Sequence, residues 1–155
     1  MRVRLELEAL REDGVVRLEK SGVHLTPRAI TRIVPRLAAV KCQRVLPLQD
    51  LGLAGLLIGV HLVAEPLAPT WQYRDLAVRR GGTGLVLLRH HHGAWRFSHD
   101  LEPLEGWSPR DAGVISSGFS DPSEGDHVAI AAGPNRGVAG LALWAVVTEI
   151  LALGI

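Results

Sequence analysis

From Val138 to Ile155 the chain is almost wholly apolar, with Thr148 and Glu149 as the only polar side chains besides the Trp144 indole. This segment constrains the fold more than any other. A helix that is apolar all round has no wet face, so its own domain, a partner or a membrane must enclose it. The segment approaches the length of a bilayer span, but Glu149 within it makes a span costly. The expectation is an apolar C-terminal helix with sheet on one side. A protein partner, most simply a second copy of the chain, would lie along Leu141, Trp144, Val147 and Leu151.

The remaining patterns are those of strands and one amphipathic helix. Val3, Leu5 and Leu7 alternate with charged residues, which predicts a strand over residues 2–10. Glu12-Asp13-Gly14 reads as a turn, and Val16 and Leu18 extend into a second strand of a first hairpin. Thr26-Pro27 is an N-cap followed by a proline at the first helical position. Ile30, Ile33, Val34 and Leu37 then recur at helical spacing, predicting an amphipathic helix over 27–39 that kinks or ends near Pro35. Its outer face carries Arg28, Arg32 and Arg36, read as a solvated face or a docking surface for an acidic partner.

Further strands are expected at 43–48, at the apolar run Leu56–Val63, at Trp71–Arg79 and at His127–Ala132. His61 lies inside the apolar run, where a core histidine with a satisfied ring nitrogen is expected. Leu85–His91 and Ala94–Ser98 predict an antiparallel hairpin turning at His92-Gly93. Ser108-Pro109-Arg110-Asp111 resembles a capping box that starts a short helical turn. A chain of 155 residues suffices for one domain, residues 1–155, that buries about two-thirds of its unfolded surface. The predicted class is α+β: a mixed or mainly antiparallel sheet, one amphipathic helix after the first hairpin, and the apolar C-terminal helix.

Charge and cysteine content narrow the function classes. The net charge is +1, which gives no global field for nucleic acid. Residues 1–80 hold thirteen Lys/Arg against eight Asp/Glu, and residues 81–155 hold four against eight, a polarity to be neutralised inside the fold or between subunits. The single Cys42 rules out an intrachain disulfide, and it reads as a small buried hydrophobe. The first residues lack the continuous apolar stretch of a signal peptide, which points to a cytoplasmic chain. Gly81-Gly82-Thr83-Gly84 lacks the Gly-Lys-Ser/Thr ending of a phosphate loop.

The most unusual chemistry is His90-His91-His92. In an extended strand His90 and His92 share a face and can offer two imidazoles to a divalent metal such as zinc. The third ligand has to come from elsewhere: His127, or a carboxylate such as Asp100, Asp111 or Asp126. The order Gly55-Leu56-Leu57-Ile58-Gly59, His90-His91-His92, Ser108-Pro109-Arg110-Asp111 resembles that of JAMM-type metallopeptidases. That resemblance would imply metal-dependent hydrolysis, but Gly52 stands where the family carries Glu and the interval from His92 to Ser108 is longer than the motif's. Two function classes follow: a non-enzymatic interaction or assembly subunit, and, as the alternative, a metal-dependent hydrolase built on His90 and His92.

Overall fold

The computed structural model describes residues 2–153. In chain order they form α1 (Arg2–Glu12), β1 (Val16–Glu19), β2 (Gly22–Leu25), α2 (Pro27–Leu37), β3 (Val40–Leu46), β4 (Leu56–Leu62), α3 (Thr70–Arg79), β5 (Gly84–His91), β6 (Ala94–Phe97), α4 (Leu104–Trp107), α5 (Pro109–Gly118), β7 (His127–Gly133) and α6 (Arg136–Ile150). The fold is α+β. A five-stranded sheet has the order β3-β4-β7-β5-β6, and β1 and β2 form a separate hairpin. The strand pairs are antiparallel.

β7 is the centre of the sheet and is buried along its whole length. It enters late in the chain between β4 and β5, pairing with both. β4 and β5 therefore run parallel to each other, and α3 is the crossover that joins them. Strand alternation assigns the two faces. On one, Ile58, Val60, Leu62, Leu85, Leu87, Ala129 and Ala131 pack against α2, α3 and α6. On the other, Leu57, Leu88, Trp95, Val128 and Ile130 pack against Leu104, Ile115 and Phe119.

Small residues set the closeness of these layers. A Cβ on Gly133 would lie 2.7 Å from the Ala139 nitrogen, and one on Gly82 would lie 2.9 Å from the Ala142 Cβ. Gly82, in the segment that lacked the ending of a phosphate loop, thus serves the crossing of α3, β7 and α6.

Two helix caps are those the sequence announces, Thr26 and Ser108, and Asn135 adds a third. Thr26 accepts from the Ala29 N–H at 3.2 Å, Ser108 from the Asp111 N–H at 3.1 Å and Asn135 from the Val138 N–H at 3.0 Å. α6 has no basic residue in its last turn. Arg32 donates to the Leu153 carbonyl at 3.1 Å and Arg36 donates to that of Ala152. The guanidinium groups of α2 therefore meet the negative end of the α6 dipole, and this part of the Arg28/Arg32/Arg36 face works within the chain.

Three expectations are corrected. Residues 2–12 are helix rather than strand. Arg, Leu, Glu and Ala are strong helix formers, and Arg4 and Glu8 pair at 3.2 Å across one turn. The first hairpin is accordingly β1–β2. Thr70–Arg79 is also helix: Tyr73 and Ala77 are buried one turn apart, a helical period that the aromatic content masked.

The third correction concerns α6. Val147 and Leu151 are buried because the sheet and the helices packed beside it cover them. Trp144 is half-buried, and its indole donates to the Gln43 Oε1 at 2.8 Å. Of the four residues placed on a partner face, only Leu141 is well exposed. Among the described residues no helix is long and apolar enough to cross a membrane, and residues 154–155 lie outside them.

Candidate functional site

The β4–α3 connection, the start of α3, β5 and the end of β6 enclose a cavity of about 670 Å³, within the ~300–1,000 Å³ typical of small-molecule sites. Its wall is held by Tyr73. This residue is buried in α3, and its hydroxyl accepts from the N–H groups of Leu67 and Ala68, both at 3.1 Å. Leu85, Leu87 and Phe97 supply apolar lining, and Trp71 stands at the rim, more than half exposed.

The polar lining comes mainly from Arg89, Ser98, His127, His99, Glu65 and Arg74. The antiparallel register places His127 directly opposite Arg89. Arg89 Nη1 reaches Glu65 Oε1 at 3.3 Å. Three buried polar atoms here have no hydrogen-bond partner: Arg89 Nε, Ser98 Oγ and His127 Nδ1. An unmade hydrogen bond at a buried group costs about 1–3 kcal/mol, so these three groups need an ordered water or a ligand as partner. Burial pushes the His127 imidazole below its ordinary value of 6.5, and the Arg89 charge adds to the shift. The ring is therefore neutral at neutral pH, with one nitrogen able to donate and the other to accept.

Across the sheet a second polar group is fully engaged. Asp126 Oδ2 accepts from Lys41 Nζ at 2.7 Å and the Ser123 N–H at 2.9 Å, and lies 2.8 Å from His61 Nε2. Trp95 and Phe119 meet the His61 ring edge-on, with centroids 5.7 and 6.0 Å away. His61 is the satisfied core histidine that its apolar strand predicted.

The histidine triplet is divided by the hairpin. His90 pairs with Trp95 and meets its ring at 5.2 Å. His92 has φ 51° and Gly93 φ 76°, so the two form a type I′ loop. Extended alternation stops at His91, and His92 no longer shares the face of His90. His127 belongs with Arg89 on the opposite face from His90. The expected set His90, His92 and His127 is thus not brought together. Among the described residues, the group whose metal-ligand atoms all lie within 4.8 Å of one another is His91, His92 and Glu124.

Sequence reasoning singled out His127 for the wrong partners and passed over Arg89 and Ser98. One signal was present: Arg89 ends the apolar run Leu85–Leu88, and a charge in a buried strand rarely lacks a purpose.

No family model matches the chain, and no curated protein does. Among solved structures, the hypothetical protein PH0730 from Pyrococcus horikoshii OT3 is similar, with a TM-score of 0.67 at 19% identity. The match covers 96% of this chain and 76% of that one. The likeness is one of fold.

Proposed function

We propose that the protein binds a small organic anion, a carboxylate or phosphate carried on a planar apolar body, in the cavity between α3 and the β5–β6 hairpin. One observation carries this reading: of the four buried side-chain polar atoms without partners among the described residues, three belong to residues that line this one cavity, and the fourth, His90 Nδ1, lies on the other face of the sheet. Arg89 Nε–H is a donor, and Ser98 and His127 can each donate, so together they suit the oxygens of one anion. Leu85, Leu87 and Phe97 suit an apolar body, and exposed Trp71 offers a face on which a planar group stacks.

A panel of benzoate, phenyl phosphate and inorganic phosphate tests the reading through the melting temperature. An aryl anion is expected to raise it by several degrees in the wild type, inorganic phosphate by less. The gain should vanish in Arg89→Met and shrink in His127→Gln. Equal shifts in wild type and variants would place any binding elsewhere.

A second reading, an assembly subunit acting through protein–protein contacts, is favoured by one separate observation. Ile30, Val34 and Leu37 of α2 are exposed together, and Leu18, Val23 and Leu25 of the β1–β2 hairpin are exposed as well. Positions 30, 34 and 37 share one helix face. In this reading a second copy of the chain covers that face, rather than the α6 face. Sedimentation velocity is expected to show a dimer that Val34→Glu dissociates. A monomer at micromolar concentration rejects this reading and leaves the ligand reading untouched.

A further inference from the structure

We propose that His91, His92 and Glu124 form a binding site for a divalent transition-metal ion of the zinc class, at the tip of the β5–β6 hairpin. Their ligand atoms already lie within 4.8 Å of one another. His91 Nδ1 is hydrogen-bonded to Glu124 Oε1, and Glu124 Oε2 accepts from the His92 N–H at 3.0 Å. The two imidazole centroids are 3.9 Å apart. Two imidazoles and a carboxylate are a donor set that zinc accepts, at bonds of about 2.0–2.2 Å. Tetrahedral bonds of that length set the ligand atoms about 3.3–3.6 Å apart, so the hydrogen-bonded His91–Glu124 pair opens and the wider separations close, by side-chain rotation at these partly exposed positions.

The backbone prepares this arrangement from two sides. The type I′ loop turns His92 out of the strand alternation, so that its ring lies beside that of His91 instead of following His90. The segment before β7 is tied to β5 by the Gly125 N–H donating to the His90 carbonyl at 2.9 Å, and by the His90 N–H donating to that of Asp126 at 2.8 Å. Glu124 is thereby held against the hairpin tip, and Asp126 behind it is fixed by its buried partners. The site thus rests on a rigid frame, although its ligands come from two segments far apart in sequence.

Three protein ligands leave one tetrahedral position for water or for an oxygen of another molecule. Arg89 and His91 fall on one face of β5, one pleat repeat or about 7 Å apart. The metal would therefore stand beside the cationic end of the cavity. The metal proposal does not depend on the cavity being occupied.

Calorimetric titration of the untagged full chain with zinc chloride in a non-chelating buffer tests it. The expected result is one zinc per chain with a Kd at or below about 10 µM, weakened at least tenfold by His91→Ala and by Glu124→Gln. His24→Ala, at a partly exposed histidine of β2 far along the chain, should bind as the wild type does. Zinc should also raise the melting temperature of the wild type and not that of Glu124→Gln, whose isosteric amide retains the shape of the tip. A Kd weaker than about 10 µM, or undiminished binding in the His91→Ala/Glu124→Gln double variant, overturns the proposal.

Discussion

Replacing Asp126 with alanine is expected to lower folding stability by about 3–5 kcal/mol, the usual cost of leaving a buried charge or donor without its partner. A single oxygen, Oδ2, serves Lys41, His61 and the Ser123 N–H. His61 is almost wholly buried, so no water replaces the lost acceptor. Urea denaturation measures the change, and a loss under about 1 kcal/mol would match only a surface pair and contradict the account of this network.

The effect has a definite pH dependence. Burial opposes ionisation of Asp126, but hydrogen bonds from Lys41, the Ser123 N–H and His61 outweigh it and hold the carboxyl below its ordinary 3.8. A carboxyl with a lowered folded pKa contributes stability that is fully present above its unfolded value. That contribution is lost as pH falls through the folded one. The gap between wild type and Asp126→Ala should therefore be constant near neutrality and narrow below about pH 4. His127 acts in the same direction at milder acidity. Its folded pKa lies below its ordinary 6.5, so the unfolded chain takes up the proton first and stability falls as pH drops below that value.

Asp111→Ala is the second large effect, at about 2–4 kcal/mol. The carboxylate lies in the first turn of α5 and is fully buried. Oδ1 accepts from the Gln49 N–H at 3.1 Å and Oδ2 from the Asp50 N–H at 2.9 Å. It thus ties the β3–β4 loop to α5, and Ser108 adds a bond to Asp50 at 2.9 Å. Alanine leaves two backbone donors without an acceptor. Asp111→Asn retains one acceptor oxygen and should lose about half as much. Equal losses in the two variants would mean that packing, rather than these bonds, sets the effect.

Much of the architecture was legible because it rests on local signals. Thr26-Pro27 and Ser108-Pro109 start helices where their chemistry says they should. Alternation on both sides of His92-Gly93 gives the hairpin and the pairing of His90 with Trp95. Errors fell where two periods fit the same letters. Residues 2–10 alternate as a strand does, yet their composition favours helix. Trp71 and Tyr73 suggested a strand, while the buried period was Tyr73 to Ala77.

The site was legible only in fragments, because its groups meet through pairings far apart in sequence. His127 reaches Arg89 only after β7 has inserted between β4 and β5. Glu124 meets His91 across 33 residues. The apolar C-terminal segment was correctly read as needing enclosure. Its own chain supplies most of that enclosure, since the small residues of β7 and α3 let neighbouring layers close around it.

The central claim is that the cavity beside Arg89 and His127 takes an organic anion. Nitrogen-15 NMR of the imidazoles, recorded while phenyl phosphate is added at pH 7, tests it most directly. The account predicts that the His127 nitrogen signals shift saturably and that its pKa rises toward the ordinary value as the anion supplies the missing partner. The signals of His61, whose ring is already satisfied by Asp126, should hold still. A His127 spectrum unmoved by the anion, or one that moves no more than that of His61, would contradict the claim.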